Sequence, residues 1–211
     1  LELMQYAHFH RVFLGIETPI AESLKEANKS QNTKRDLLES VKKIQSYGIE
    51  DMAGFIIGFD NDPEDIFERQ INFIRESAIP LAMVGLLTAL PDTQLWKRLE
   101  REGRLVHESS GNNTDCSLNF VPKMDRERLV EGYKAVLRNI YSPQEFYQRA
   151  LDCLSRVRNN AVELQRVNFI RVTKSFFKII LRLGVRDRDR FRFWKYLFRV
   201  TVNYPRSLGN G

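Results

Sequence analysis

The sequence has little cysteine and no long apolar run. Its two cysteines, Cys116 and Cys153, lie far apart in the 211-residue chain. This spacing excludes a disulfide framework and a metal site built from clustered cysteines, and it favours a reducing, cytoplasmic location. The longest apolar stretch, residues 81–90, is far shorter than the roughly 20 residues that a membrane-spanning helix needs. The first residues also lack the basic and apolar regions of a secretory signal.

Charge is distributed unevenly along the chain. Residues 1–122 carry 13 Lys and Arg against 19 Asp and Glu, a net charge of −6, whereas residues 123–211 carry 20 against 8, a net charge of +12. A change of this size predicts two parts with different roles. We therefore expect a first domain at 1–103, a connector at 104–124 and a basic helical C-terminal domain at 125–211.

The first part alternates short apolar runs with helical periodicity. Residues 11–16, 52–59 and 81–90 are apolar and bounded by residues that favour turns, as in buried parallel strands. Asp62 followed by Pro63 is expected to start the helix after the second strand. The pattern predicts an α/β fold with three βα units of a parallel sheet. Three units cannot close a barrel, so we expect earlier βα units to precede them in the intact protein.

Beyond the third strand the periodic segments all predict helices. Thr93, Asp125 and the pair Ser142-Pro143 provide starting signals for three of them, and Gly184 is expected to end a later one. The four helices expected in the C-terminal part cover residues 125–140, 143–156, 161–183 and 188–203.

Glycines and one acidic residue lie near the ends of the predicted strands. Glu17 ends the first strand, Gly54 and Gly58 lie in the second, and Thr88 lies in the third. The carboxyl ends of parallel strands share one edge, where ligands bind. A carboxylate there can accept hydrogen bonds from a ribose hydroxyl or a ligand ammonium group. Bare glycines beside Ile56 would let a flat, adenine-like ring approach the backbone, although each glycine alone is also explained by close helix packing.

Four segments together resemble radical S-adenosylmethionine enzymes, most closely those that carry an N-terminal cobalamin-binding domain, a group that includes hopanoid methylases. These segments are residues 13–19, 54–60, 85–91 and 99–105. Residues 119–122 and 141–149 are similar to the C-terminal helical extension of the same family. The resemblance therefore covers nearly the whole chain.

The resemblance implies the last three βα units of a partial (β/α) barrel that binds S-adenosylmethionine. The residues it implies for the cofactor pocket are Glu17, Gly54, Ile56, Gly58, Leu87 and Thr88. Glu17 would contact the ribose or the amino group, the glycines and Ile56 would lie against adenine, and backbone near Leu87 would complete the pocket. Asn61 stands where the family pattern GxIxGxxE ends in Glu, and Asp60 precedes it.

The CxxxCxxC loop that holds the family's [4Fe–4S] cluster is absent from this sequence, and Cys116 and Cys153 cannot replace it. We expect the cluster ligands, and the cobalamin domain where one is attached, in the missing N-terminal half of the same protein. This chain is expected to supply no catalytic residue and no metal ligand, and to be inactive alone. For the intact enzyme the resemblance implies a 5′-deoxyadenosyl radical that abstracts hydrogen from an unactivated carbon of a small molecule or lipid, with cobalamin delivering a methyl group.

Each of the last two predicted helices carries a basic stripe with aromatic residues beside it. The stripes consist of Arg171, Lys174, Lys178 and Arg182, and of Arg188, Arg192, Lys195 and Arg199. They are interpreted as a solvated face, as a contact with an anionic membrane surface, or, with less support, as a nucleic-acid site. The alternative to an enzyme is a non-catalytic adaptor whose basic helices bind an anionic membrane or RNA.

Overall fold

The computed structural model describes residues 1–106, 118–157 and 169–204. The strands are β1 (Arg11–Glu17), β2 (Glu50–Ile57) and β3 (Leu81–Leu86). The α-helices are α1 (Glu2–Tyr6), α2 (Ala21–Glu26), α3 (Ser30–Thr33), α4 (Leu37–Ser46), α5 (Ile66–Ser77), α6 (Gln94–Arg101), α7 (Arg126–Ile140), α8 (Pro143–Arg156), α9 (Phe169–Ile179) and α10 (Arg190–Asn203). A π-helical segment, Ile180–Arg186, continues α9. None of the helices in the described ranges is long and apolar enough to cross a membrane.

The three strands form one parallel sheet in the order β1-β2-β3. Because helices connect consecutive neighbouring strands, the predicted α/β fold with parallel βα units is confirmed. The register places Gly15 opposite Gly54, and Ile56 opposite Gly85. All three strands end at the same edge of the sheet, so the loops that follow them meet there.

One face of the sheet is buried under helices and the other is open. In β2 the buried residues alternate, and Phe55 packs edge-on against Phe73 of α5 with ring centroids 6.0 Å apart. On the opposite face Phe13, Leu81 and Met83 expose their side chains. The core therefore lies between the sheet and the helices α4, α5 and α7, and the open face is available for contacts.

Helix α7 belongs to this core although it lies in the basic part of the chain. Its buried residues include Leu129 and Val136, and the Tyr133 hydroxyl donates a hydrogen bond to the Val84 carbonyl at 3.3 Å. Gly132 lets α7 approach α5 closely, since a Cβ at this position would overlap the Phe67 ring. The predicted domain limits stay a prediction, and the structure adds that α7 packs against β3 and α5.

Three predicted helix starts are confirmed, because each depends on a hydrogen bond between near neighbours in the sequence. The side chains of Thr93, Asp125 and Ser142 accept hydrogen bonds from backbone N–H groups at 3.2, 2.8 and 3.4 Å. Pro143 occupies the first turn of α8, where its lack of an N–H group costs nothing.

The predicted start of α5 at Asp62-Pro63 is wrong, because α5 begins at Ile66. The Asp62 carboxylate instead accepts hydrogen bonds from the N–H groups of Gly58 at 2.8 Å and Phe59 at 3.0 Å, and from the Ser23 hydroxyl at 2.7 Å. Contacts with Ser23 of α2 and with the preceding loop thus use the side chain that would otherwise have capped the helix.

The prediction that Gly184 ends a helix is also wrong. Gly184 lies inside the π-helical segment, and its carbonyl accepts a hydrogen bond from the Trp194 indole N–H at 2.9 Å. A Cβ at Gly184 would lie 3.0 Å from Trp194 and 3.2 Å from Phe193. This glycine therefore allows α10 to pack closely on the π-helical segment. The predicted helical residues 161–168 lie outside the described residues.

Candidate functional site

Side chains join the loops that follow the three strands. Asn28, after β1, donates a hydrogen bond from Nδ2 to Oε1 of Gln94 at 2.8 Å. The buried Asn119 amide pairs with both backbone groups of Ala89, which lies after β3, at 3.0 and 2.7 Å. Together with the contact of Ser23 with Asp62, these bonds link the segments that meet at this edge of the sheet.

A strip of bare backbone crosses the open face towards this edge. Gly15 and Gly54 are neighbours on β1 and β2, and Gly85 lies on β3 beside Ile56. A Cβ at Gly85 would have no atom within 4 Å, whereas one at Gly54 would lie 3.2 Å from Cζ of Phe13. The strip is therefore open at Gly85, whereas the Phe13 ring lies over Gly54, and a flat ring could pack on Gly85 beside this aromatic ring.

Glu17 places a carboxylate at the end of this strip. It is the last residue of β1, follows a register shift after Gly15, and adopts a φ of 67°, which is uncommon for a residue with a side chain. Its Oε1 lies 2.8 Å from the position of a Cβ on Gly15 and 3.3 Å from Nζ of Lys29. The side chain is 16% exposed. A left-handed residue costs about 1 kcal/mol or more, and such strain is common at ligand sites.

The Cβ direction of Gly58 and the side chain of Leu87 face the core and not the open face of the sheet. Gly58 has a φ of +111°, and a Cβ there would lie 3.3 Å from Leu129 and 3.6 Å from Leu87, on the core side. The Leu87 side chain is buried in the core, and its N–H donates to the Ile57 carbonyl at 2.8 Å. These two positions shape the backbone at the edge of the sheet, and their side-chain directions face the helices.

The other predicted residues have access to the open side. Ile56 is half-buried on the same face of β2 as Gly54. Thr88 is half-buried just after β3, where its hydroxyl donates to the Leu86 carbonyl at 3.3 Å. The structure therefore brings Glu17, Gly54 and Ile56 to one face, with Thr88 at the rim.

A second carboxylate occupies the corner where Asn61 replaces the Glu of the pattern. Glu26, from α2, accepts hydrogen bonds from the N–H of Asn61 at 3.2 Å and from its Nδ2 at 2.9 Å. It also forms an ion pair with Arg98 at 2.6 Å. The corner thus has an acidic group supplied by another loop, and that group is already bound to a cation and an amide.

Asp60 beside this corner is also held by cations. Arg104 binds both of its oxygens, at 2.7 and 2.8 Å, and the carboxylate is only 4% exposed. Burial alone would raise the pKa of Asp60, but the hydrogen bonds and charge of Arg104, with further charge from Arg98 and Lys123, lower that pKa overall. Asp60 is therefore a charged structural link and not a proton donor.

Three residues of this site were not predicted from the sequence. Lys29 reaches Glu17 from the connector after α2, Glu26 fills the corner at Asn61, and Phe13 borders the glycine strip. No motif marks the first two, because their contacts depend on how the loop between β1 and α4 folds back. Phe13 could have been found, since it lies two residues before Gly15 and strand residues alternate between faces.

Known proteins match this chain along most of its length. Residues 93–210 match the family model described as "Domain of unknown function (DUF4070)". The chain is 38% identical over 210 residues to an uncharacterized methyltransferase of Synechocystis sp., with 97% of this chain and 39% of that protein covered. It is 36% identical over 208 residues to the hopanoid C-2 methylase of Rhodopseudomonas palustris, with 96% and 38% covered.

A more distant match is the bacteriochlorophyllide d C-12(1)-methyltransferase of Chlorobaculum tepidum, at 27% identity over 137 residues. The alignment covers 64% of this chain and 30% of that protein. The chain thus spans well under half the length of the curated relatives it matches.

Proposed function

Since this chain belongs to the DUF4070 family and forms the C-terminal part of a protein like the cobalamin-associated radical S-adenosylmethionine methyltransferases, we propose that its open sheet face binds S-adenosylmethionine. The observation that carries the proposal is the glycine strip on β1 and β2 that ends under the Glu17 carboxylate. The adenine ring would lie along the bare backbone of Gly85, beside Ile56 and the Phe13 ring that covers Gly54. A side chain at Gly85 would fill this space.

The amino-acid end of S-adenosylmethionine carries one charge of each sign, and the rim offers the complementary pair. The Glu17 carboxylate is suited to the ligand ammonium group, and Lys29, 3.3 Å away, is suited to the ligand carboxylate. In a partly buried site such charge-assisted hydrogen bonds are stronger than neutral ones. Glu17 and Lys29 hold each other in place before binding, which reduces the entropy lost when the ligand is bound.

The residues of this chain bind and orient the cofactor and exclude water from it. When bound, S-adenosylmethionine, a [4Fe–4S] cluster and cobalamin would supply the radical and methyl-transfer chemistry. The sequence has no CxxxCxxC motif, so the cluster ligands would come from outside this chain, and the chain alone would be inactive.

The substrate that fits this proposal is a large, apolar molecule methylated at an unactivated carbon. The names of two relatives refer to a hopanoid and to a bacteriochlorophyllide. On this chain the open face exposes Phe13, Leu81 and Met83 beside the glycine strip. Apolar side chains next to the cofactor would favour a substrate of this class.

The free side of β1 supports a partial barrel in the intact protein. Within the described residues β1 has a neighbour only at β2, and a groove of about 540 Å³ runs along it. Apolar residues of β1 and α4 line part of this groove, including Leu14, Ile16, Val41 and Ile44. An upstream βα unit would fill this groove and pair with the free edge of the strand.

Ligand binding can be followed on the 211-residue chain by NMR. We expect S-adenosylmethionine to shift the amide signals of Gly15, Gly54 and Gly85 and to leave those of α10 unchanged. Glu17→Gln should weaken binding about tenfold, because it removes a charge-assisted hydrogen bond. Glu39→Gln, on the exposed side of α4, is the matched control. Shifts confined to other regions, or none at saturating ligand, would contradict the proposal and favour the adaptor.

The location of the cluster ligands is tested separately. Anaerobic reconstitution with iron and sulfide should leave this chain without a stoichiometric cluster and without cleavage of S-adenosylmethionine. A full load of four irons per chain would show that thiolates of this chain suffice.

A further inference from the structure

Helices α9 and α10 and the π-helical segment between them expose many apolar side chains. We call these side chains together the C-terminal apolar surface. Its members are the exposed residues Phe176, Phe177, Ile179, Leu181, Val185, Phe191, Trp194, Phe198 and Val202. Scattered single apolar residues are common on protein surfaces, but nine exposed ones within residues 176–202 are a local concentration that indicates an interaction site.

Helix α10 shows that this surface is not the packing side of the fold. Its buried residues Phe193 and Val200 face inward, whereas Phe191, Phe198 and Val202 lie on the opposite side of the helix. These three are 74%, 69% and 58% exposed. Because each residue turns the helix by 100°, the exposed residues and the buried residues are centred on opposite sides of the helix axis, roughly 180° apart. An amphipathic helix that only packed on the protein core would carry polar residues on its outward face.

Residues outside the stripe of Phe191, Phe198 and Val202 hold α10 in place. The Tyr196 ring stacks on Tyr147 of α8 with centroids 4.8 Å apart. Arg192 donates to Oε1 of Gln144 at 2.8 Å, and Trp194 donates to Gly184. Because these contacts hold α10 on α8 and the π-helical segment, the outward apolar stripe is not needed to hold it.

Cations surround the apolar surface. Residues 173–204 carry nine Lys and Arg but only two acids, Asp187 and Asp189. The exposed cations are Lys174, Lys178, Arg182, Arg186, Arg188, Arg190, Arg192, Lys195 and Arg199. Both predicted stripes therefore reach the surface, apart from Arg171, whose side chain lies outside the described residues. On α10, Lys195 and Arg199 lie along one side of the stripe of Phe191 and Phe198.

We propose that the C-terminal apolar surface binds the surface of an anionic lipid membrane. Apolar side chains would enter the boundary between headgroups and acyl chains, while the long Lys and Arg side chains reach the phosphates. The aliphatic members Ile179, Leu181, Val185 and Val202 favour lipid over single-stranded RNA, since bases stack on aromatic rings and not on branched alkyl groups. The inference does not depend on cofactor binding.

Vesicle sedimentation of the whole chain tests this proposal. We expect the chain to sediment with vesicles of phosphatidylcholine mixed with phosphatidylglycerol, to sediment much less with pure phosphatidylcholine, and to be released as salt is raised. Lys195→Gln with Arg199→Gln should weaken binding roughly tenfold or more. Lys25→Gln with Lys97→Gln, which removes two exposed charges from the βα part, should leave it unchanged.

A second pair of variants separates the apolar contribution from simple charge attraction. Phe191→Ser with Phe198→Ser should lower vesicle binding at every salt concentration, because both rings are exposed and neither is needed for packing. Leu3→Ser with Val121→Ser, at exposed sites elsewhere, is the matched control. Circular dichroism and urea unfolding should show that all four double variants stay folded.

The following outcomes would overturn the proposal. They are equal binding to neutral and anionic vesicles, no binding to either, or vesicle binding that Phe191→Ser with Phe198→Ser leaves unchanged. Binding of a single-stranded oligonucleotide in preference to vesicles would identify a nucleic-acid surface instead. Self-association of the free chain that both Ser changes abolish, without vesicle binding, would identify an interface between two copies.

Discussion

The Glu17 carboxylate lies directly over the bare backbone of Gly15, with Oε1 2.8 Å from the position that a Cβ on Gly15 would occupy. A real Cβ would not tolerate an atom so close, so the side chain of Glu17 can take this position only because residue 15 is glycine. The left-handed backbone of Glu17 turns its carboxylate back over the strip, towards Lys29. The glycine and the acid therefore act together in forming the rim of the candidate site.

Gly15→Ala is expected to weaken S-adenosylmethionine binding about tenfold while leaving the fold intact, because the new methyl displaces the flexible end of Glu17 and its charge-assisted hydrogen bond. Gly85→Ala is the companion change. Its Cβ meets no atom within 4 Å, so the fold should tolerate it while the adenine space is filled. Isothermal titration and thermal unfolding of both variants check this. If Gly85→Ala folded and bound S-adenosylmethionine with unchanged affinity, the adenine ring would not lie on this strip.

Asp51 is expected to make the stability of the chain depend on pH. It is fully buried, and neither of its oxygens has a hydrogen-bond partner among the described residues. Burial raises the pKa of Asp51 to about 7, and the nearby Gln45 only partly opposes this. Between about pH 4 and pH 7 the unfolded chain is ionised here while the folded chain keeps the proton, so stability falls as pH rises and the loss is complete above that range.

Asp51→Asn should therefore raise the free energy of unfolding by on the order of 3 kcal/mol at about pH 8 and change it little at about pH 4. Urea unfolding at both pH values measures the difference. Asp65→Asn, an exposed residue at the start of α5, should show no such pH-dependent gain. If Asp51→Asn raised the free energy of unfolding equally at both pH values, improved packing would explain the gain and ionisation of Asp51 would not.

Gly132→Ala is expected to destabilise the chain although alanine favours helices. The propensity gain is about 1 kcal/mol, whereas overpacking at a tight helix contact typically costs about 1–3 kcal/mol. The new Cβ would overlap the Phe67 ring between α5 and α7, so the cost of overpacking should exceed the gain in helix propensity. Thermal unfolding should show a lower midpoint. Restoration of that midpoint by adding Phe67→Leu would assign the cost to this contact.

The elements that the sequence predicted correctly depend on short-range interactions. Thr93, Asp125 and Ser142 each accept a hydrogen bond from a backbone N–H three residues later, so the local pattern is enough to place α6, α7 and α8. Apolar runs between helices were likewise enough to predict three parallel strands. The location of Glu17 at the carboxyl edge follows from that topology alone.

Contacts that bring separate segments together account for several features that the sequence did not reveal. Asp62 lost its role as a helix cap because Ser23 and two N–H groups of the preceding loop bind its carboxylate. Lys29 reaches Glu17 only after the connector folds back over β1. The outward direction of the Phe191 and Phe198 stripe depends on which side of α10 packs against α8. Periodicity shows that a helix has two faces, but only the packing partner settles which one is buried.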